Sequence, residues 1–376
     1  MDNKYSISNE SFEINSQTNE LFLERIGSVG ISDSLYLYMV TPSSLLGVVL
    51  NGISYLVLLY GKEMKMNLFK YLRAFTLNSL ILCFMGTLVF IPRTPRYFKN
   101  SNDLIPRIYR CKIMSFMGYT LLLYSNLLSI IIILERMSLY STRVKFAMQK
   151  FSINSVIIFT ILLSILINVP IYFHHTVRSS DEFHEAIINL NKTLQFTYCG
   201  ESNFYRTLNG KLVLAFLALF RDFGILVLEI LISYFSICHL KRYLKKKQQT
   251  LRLIRFDSPT NNHNNNNNNI DNDRIKKKLT VLNRRLTDMT ISLTILSIVC
   301  NMFSFAYVVL YISFQAYSFS FYFILSHYFI VGLRHGSNIF FYSYYNAVFR
   351  VQFFNYVLNV IEFFKFCKKN RNSSQS

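Results

Sequence analysis

The sequence has no tryptophan, few glycines and prolines (12 and 6 among 376 residues) and only 16% charged residues. Hydrophobic residues, by contrast, make up 52% of the chain. A soluble chain of this length would form about two domains and needs more polar surface than this composition supplies. The charged residues lie between long apolar segments that are nearly free of charge, as expected when the surrounding solvent is lipid. The composition therefore excludes an ordinary soluble protein.

The motifs of common enzymes are also missing. The sequence contains no spacing typical of metal ligands, no nucleophile elbow and no glycine-rich phosphate loop, so we expect no enzymatic activity, cofactor or metal. The first 35 residues are polar and acidic, without the early apolar segment of a cleavable signal peptide. We therefore expect the first apolar segment to act as the membrane signal.

Seven apolar segments reach the length of about 20 residues that a helix needs to cross a bilayer. They predict an all-α membrane protein, a bundle of seven transmembrane helices that we call spans one to seven. The segments show no internal repeat, which would have favoured a transporter. Their predicted bounds are Tyr36–Tyr60, Leu68–Ile91, Cys111–Leu134, Ile153–Phe173, Leu212–Ile237, Met289–Phe314 and Phe319–Tyr342.

The net charge of +20 comes from basic residues that cluster at the ends of the apolar spans. A nucleic-acid-binding protein places them on one soluble face instead, so we expect no nucleic acid as a partner. By the positive-inside rule, the segments after spans one, three, five and seven are cytosolic and the N-terminus is extracellular, which predicts a multi-pass protein of the plasma membrane. The segment after span two is also basic, and it is either a tolerated external loop or an attraction for acidic ligands.

Three parts follow from these boundaries. They are an extracellular segment 1–35, a seven-span domain 36–344, and a cytosolic tail 345–376 that begins with an amphipathic helix. Within the seven-span domain, residues 248–275 include a run of asparagines that cannot bury a core, so we expect them to be disordered. Asn9 and Asn191 stand in sequons on the predicted external side and are candidate glycosylation sites.

Span three carries the most specific spacing in the sequence. It begins at Cys111 and ends with Glu135, Arg136 and Met137, and 25 positions (136 − 111) separate the cysteine from the arginine. At a rise of 1.5 Å per residue this separation is about 38 Å, which places one residue at each face of the membrane. The cysteine, the spacing and a D/E-R-Y-like triplet together resemble the rhodopsin-like (family A) G-protein-coupled receptors.

The end of span seven strengthens this resemblance. The segment Asn338–Tyr342 is similar to the family's N-P-x-x-Y motif, with Ile339 in the place of proline. Phe349 then opens a segment that resembles the F-R/K-x-x-F start of the family's short eighth helix. Cys367, beyond that helix, is a candidate for palmitoylation.

Other positions resemble the family less closely. Asn51 is similar to the family's single asparagine of span one, and it must find partners in the bundle. Where the family usually has an aspartate in span two, this sequence has Asn78 and Ser79, so the family's sodium site is in doubt. The usual tryptophans and the kink prolines of spans five and six are missing. These departures point to a divergent invertebrate orphan, with FMRFamide or neuropeptide receptors as possible relatives.

The resemblance implies a receptor that binds an extracellular ligand and activates a heterotrimeric G protein. It implies a disulfide between Cys111 and Cys199, and a pair of Glu135 with Arg136 that holds the inactive state. Arg136 and Tyr342 would then support the open state. A peptide ligand is favoured over an amine, because the outer half of span three has no aspartate to hold an ammonium group. A seven-helix channel or transporter remains the alternative.

Charged residues inside the spans must pair or line a wet cavity, since a lone charge at mid-bilayer costs on the order of 3 kcal/mol. Glu229 of span five and Arg334 of span seven lie at similar depth, and we expect them to form an ion pair. The alternative pairs Arg221 with Asp222. Asp222 lies about two helical turns above Glu229 on a similar face, which would let it reach the ligand cavity.

Overall fold

The structure is a computed structural model, and helices from all seven predicted spans are present in it. It describes residues 40–61, 64, 66–88, 109–179, 197–256, 281, 284–303, 305–306, 329–347, 349–356, 358 and 362. The helices of the spans are Val40–Tyr60, Asn67–Leu88, Ser115–Met137, Ile153–His174, Leu208–Ala218 with Ile225–Phe256, Arg284–Phe303, and 329–336 with Asn338–Tyr345. Residues 349–356 are also helical, where the sequence predicts a short eighth helix.

Five of these helices are long and apolar enough to cross a membrane by length and composition. They belong to spans one, two, three, four and six. Many of their large apolar side chains are exposed, such as Leu166 and Phe159 of span four. Apolar side chains on the outside of a helix bundle are expected in a lipid bilayer. Lipid tails are themselves apolar, so the hydrophobic effect does not favour burying these side chains.

Span three is the central helix of the described bundle. It packs against spans two, four and five. Near its C-terminal end, Leu128 is fully buried in a cluster with Leu72 of span two, Leu286 and Met289 of span six, and Tyr342 of span seven. We call this side the Arg136 end of the bundle, and the opposite side the Cys111 end.

Two spans contain a π-helical turn. One covers Tyr109–Met114 at the start of span three, and the other covers Leu219–Gly224 within span five. A π turn adds a residue to the helical repeat, so it rotates every side chain that follows. The sequence prediction assumes regular α-helical turns between Asp222 and Glu229 and therefore places both residues on one face of the helix. Because Asp222 lies within the π turn, the two residues do not share that face.

A small β-hairpin follows span four. Strand β1 (His175–Ser179) pairs antiparallel with strand β2 (Thr197–Glu201), with Val177 opposite Cys199. Strand β1 contacts the π-helical turn at the start of span three, so the hairpin lies at the Cys111 end. The sequence analysis did not predict these strands.

Span five continues far beyond the apolar segment. Its helix runs to Phe256, so residues 248–256, which the sequence analysis assigned to a disordered loop, are helical. Lysine, glutamine, arginine and leucine dominate this extension, and all four residue types have high helix propensity. The asparagine run itself lies outside the described residues.

Gly47 of span one lies at a close contact with span two. A Cβ atom at this position would lie 2.6 Å from the Sγ atom of Cys83. Because Cys83 is buried, we expect Gly47→Ala to lower the free energy of unfolding by about 1–3 kcal/mol. Thermal unfolding of the purified protein measures this change.

Two variants control this prediction. Among the described residues, no atom outside the neighbouring backbone of the same helix lies within 4 Å of a Cβ at Gly118. Gly118→Ala should therefore leave the melting temperature unchanged or raise it slightly, since alanine favours the helix. Adding Cys83→Ala to Gly47→Ala removes the sulfur and should restore part of the lost stability. Equal stability of the two single glycine variants would contradict the contact.

Candidate functional site

Four charged side chains are buried among the described residues of the bundle. Their exposed fractions are 2% for Arg136, 7% for Arg221, 0% for Glu229 and 4% for Arg334. Burying a charge without partners is costly, so such groups are retained where they have partners or a function. These four side chains are therefore candidates for a functional site inside the bundle.

The carboxylate of Glu229 in span five is held by neutral donors of two other spans. Ser129 of span three donates to Oε1 at 2.8 Å, and the Nδ2 atom of Asn301 in span six donates to Oε2 at 3.1 Å. Hydrogen bonds to a charged acceptor are stronger than those between neutral groups. Glu229 thus connects spans three, five and six.

Arg334 of span seven joins the same group through Asn301. Its Nη1 atom donates to Oδ1 of Asn301 at 3.1 Å, while the other end of that amide donates to Glu229. Direct contact between Glu229 and Arg334 was predicted from the sequence, but among the described residues they form no ion pair within 4.0 Å. The two charges are instead linked by the amide, which presents an acceptor to the cation and a donor to the carboxylate.

Arg221 and Asp222 form a separate ion pair nearer the Cys111 end. The guanidinium donates to both carboxylate oxygens, with Nε–Oδ1 2.7 Å and Nη2–Oδ2 2.6 Å. Arg221 also donates to Oδ1 of Asn168 in span four at 3.4 Å, and its guanidinium lies 4.3 Å from the ring centre of Tyr119. The alternative pairing considered from the sequence is therefore the one with direct contact.

A second polar cluster links spans one, two and seven. The Nδ2 atom of Asn51 donates to the carbonyl of His335 at 2.8 Å, and Oδ1 of Asn51 accepts from Asn338 at 3.3 Å. Asn338 also donates to Ser79 at 3.2 Å, and Ser79 lies 2.9 Å from Nδ1 of His335. The structure thus brings together three of the residues selected from the sequence, and it adds His335.

Asn78 belongs to a different contact. Its Nδ2 atom donates to the carbonyl of Leu121 in span three at 2.9 Å. It therefore fixes span two against span three and takes no part in the Asn51 cluster. Between the two adjacent residues of span two, only Ser79 faces span seven.

At the Arg136 end, Arg136 turns into the bundle and forms no ion pair with Glu135 within the described structure. Glu135 and Arg136 are successive residues of a regular α-helix and leave it in different directions, whereas Arg221 and Asp222 belong to a π-helical turn. Arg136 lies within electrostatic range of both Tyr140, which follows span three, and Glu135, while its Nε and Nη2 atoms have no hydrogen-bond partner among the described residues. The pair that the resemblance implies is thus not in direct contact.

Tyr140 connects three spans at this end. Its hydroxyl is hydrogen-bonded to that of Thr287 in span six, and its ring centre lies 5.3 Å from that of Tyr243 in span five. Burial raises the pKa of the Tyr140 phenol, so the group stays protonated near neutral pH. Tyr140 thereby links spans three, five and six near Arg136.

The end of span seven is anchored on span two. The hydroxyl of Tyr342 lies 3.1 Å from that of Thr76, and its ring centre lies 5.4 Å from that of Phe349. Tyr342 and Phe349 are both fully buried, with 1% and 0% of their surface exposed. Phe349 thus ties the helix at 349–356 to the core.

Several predicted residues fall outside what the structure describes. Asn9, Asn191 and Cys367 lie outside the described residues, so their modification stays a prediction. The backbone of Cys111 and Cys199 is described but their side chains are not, and the disulfide also stays a prediction. Among the described residues, no group of three or more His, Cys, Asp and Glu side chains is arranged to hold a metal ion.

Sequence reasoning missed the residues that connect these groups. Asn301, Ser129, Tyr140 and Thr287 are polar residues without a motif, and their partners lie far away in the chain. One signal was present for Asn301, because a lone amide in an apolar span must find a partner in the bundle. This part of span six stood out in the sequence only for the tryptophan and the proline that it lacks.

Comparison with known proteins rests on structure alone. The chain matches no protein-family profile, and no curated protein matches its sequence. The crystal structure of squid rhodopsin is similar, with a TM-score of 0.59 and 14% sequence identity over 88% of this chain and 87% of the squid chain. At this identity the similarity shows the fold, and it confirms the predicted class of a seven-helix transmembrane bundle.

Proposed function

We propose that the protein is a rhodopsin-like G-protein-coupled receptor, which binds an extracellular ligand and activates a heterotrimeric G protein. The observation that carries the proposal is the closed cluster at the Arg136 end. There a buried arginine of span three lies near Tyr140, which contacts spans five and six. The rhodopsin-like fold supports the same conclusion.

The cluster is consistent with a receptor that has a closed state and an open state. In the described state, Tyr140 holds span six through Thr287 and span five through Tyr243. An outward movement of span six would break the first contact and expose Arg136 to a protein partner. A ligand activates the receptor only if it binds this open state more tightly than the closed one.

The charges of the loops support an orientation for this receptor. The helical extension of span five beyond the apolar segment carries exposed basic residues, among them Lys241, Arg242 and Lys245. Basic segments of this kind favour the cytosolic side and its anionic lipids. The Arg136 end would then face the cytosol at the plasma membrane, with the N-terminus outside.

The Arg221–Asp222 pair bears on the ligand. Asp222 is the acidic residue of span five nearer the Cys111 end, and both of its oxygens already accept hydrogen bonds from Arg221. A bidentate pair of this kind is strong, so an ammonium ligand would have to displace it. This supports the preference for a peptide over an amine.

The proposal is tested by two variants with opposite expected effects. In cells that contain a promiscuous G protein, a library of peptides and amines should yield an agonist for the wild type, and Arg136→Ala should lose that response. Tyr140→Phe removes a hydrogen bond worth about 0.5–1.5 kcal/mol from the closed state, so basal signalling should rise by about 2- to 13-fold.

Tyr344→Phe is the matched control, because Tyr344 is 75% exposed and its hydroxyl should not affect the closed state. Surface expression is measured for every variant. An agonist response that survives Arg136→Ala at equal expression would contradict the coupling role of Arg136. Basal signalling of Tyr140→Phe equal to that of Tyr344→Phe would contradict the role of Tyr140. Ligand-gated ion current without G-protein activation would favour the channel alternative.

A further inference from the structure

A small cavity lies inside the bundle, between the Glu229 group and the Asn51 cluster. Its volume is about 20 Å³, counted as the space open to the centre of a water molecule. A cavity needs about 10–15 Å³ by this measure to hold one water molecule, so there is room for a single small particle. Its polar lining consists of Ser129, Thr290, Thr294, Ser297, Arg334 and Asn338.

Three of these residues have already used their hydroxyl hydrogens. Thr290 donates to the carbonyl of Leu286 at 2.9 Å, Thr294 donates to the carbonyl of Thr290 at 2.8 Å, and Ser129 donates to Glu229. A hydroxyl group has one donor and two acceptor sites. The three oxygens can therefore only accept further hydrogen bonds.

One other lining residue has a donor to spare. The Nη2 atom of Arg334 is buried and has no hydrogen-bond partner among the described residues, whereas the hydroxyl of Ser297 lies beside the carboxylate of Glu229. Leaving a buried donor of a charged group unpaired is costly, so the cavity beside it favours a particle that accepts a hydrogen bond.

The charge and the hydrogen-bonding groups of the cavity lining favour one kind of occupant. A cation such as sodium would be repelled by the guanidinium of Arg334. A halide would meet three hydroxyl oxygens that have only lone pairs to offer. Water satisfies both sides, because it accepts from the guanidinium and donates to oxygens.

We propose that this cavity is the binding site of one structural water molecule, which accepts a hydrogen bond from Arg334 and donates to hydroxyl oxygens of span six. The site joins span seven to span six next to the bridge formed by Asn301. Water binding here is independent of whether the protein couples to a G protein.

A structure of the purified full-length protein, at a resolution that shows ordered water, tests the site directly. One sample is prepared in chloride and one in bromide. We expect a single density peak within hydrogen-bonding distance of Nη2 of Arg334, without an anomalous bromide signal. A bromide signal would identify an anion, and an empty cavity would exclude any occupant, so either result would overturn the proposal.

A pair of isosteric variants provides a second test. Thr294→Val removes an acceptor from the cavity lining, whereas Thr160→Val removes a buried hydroxyl of span four that bonds its own helix in the same way and does not line the cavity. We expect Thr294→Val to lower the melting temperature by roughly 2 °C more than Thr160→Val, the effect of one lost hydrogen bond. Equal shifts would count against the water.

The ionic composition of the buffer separates the remaining occupants. Melting temperatures of the wild type are compared in sodium chloride, sodium gluconate and choline chloride at equal ionic strength. We expect the three values to agree. Stabilisation that requires chloride would identify a halide, stabilisation that requires sodium would identify a cation, and both would overturn the assignment to water.

Discussion

Replacing Glu229 by alanine should lower the stability of the fold by about 3–5 kcal/mol, because it leaves the buried guanidinium of Arg334 without its counter-charge. Glu229 is fully buried, and among the described residues Asn301 hydrogen-bonds to both it and Arg334. Arg334→Ala should have a similar effect, since the carboxylate is then the uncompensated charge. We expect both single variants to lose most of their surface expression, as measured by flow cytometry on intact cells.

The double variant that exchanges the two charges, Glu229→Arg with Arg334→Glu, should recover much of the loss. Asn301 can rotate its amide by half a turn, so that its oxygen faces the new arginine and its nitrogen faces the new glutamate. Glu135→Ala is the control, because Glu135 is only half-buried and forms no ion pair in the described structure. The prediction fails if the exchanged variant is no better expressed than either single variant.

Glu229, Asn301 and Arg334 also show how much of the site can be predicted from the sequence. Apolar length placed Glu229 and Arg334 at similar depth, and the structure brings both into one group. What the sequence did not contain is the residue between them. A position on a helix predicts depth, but the identity of a partner depends on the rotation of three spans about their axes, and the π-helical turn Leu219–Gly224 changes that rotation in span five.

The fold as a whole was more predictable than its contacts. The spans follow from the demand that a helix of about 20 apolar residues satisfies all of its backbone hydrogen bonds in lipid. The hairpin after span four is not subject to this requirement, and its strands were not predicted from the sequence. Tyr140 and Thr287 illustrate the same limit, because their contact joins positions 147 residues apart and neither belongs to a motif.

Asn51 was selected from the sequence as a residue that must find partners in the bundle, and the structure shows such partners. Its replacement should cause the second large loss of stability. Asn51→Leu keeps the approximate volume but removes the donor to the carbonyl of His335 and the acceptor for Asn338. Each buried group left unpaired costs about 1–3 kcal/mol. Thermal unfolding of the purified variant should therefore show a loss of about 2–6 kcal/mol for the two groups together.

Two comparisons separate the loss of these contacts from the loss of any buried amide. The amide oxygen of Asn126 in span three has no hydrogen-bond partner among the described residues, so Asn126→Leu should cost less than Asn51→Leu. Combining Asn51→Leu with Asn338→Leu closes a double-mutant cycle. Because each residue supplies a partner to the other, the two losses should fall short of additivity by about 0.5–3 kcal/mol. Strict additivity would mean that the 3.3 Å contact contributes nothing to holding span one against span seven.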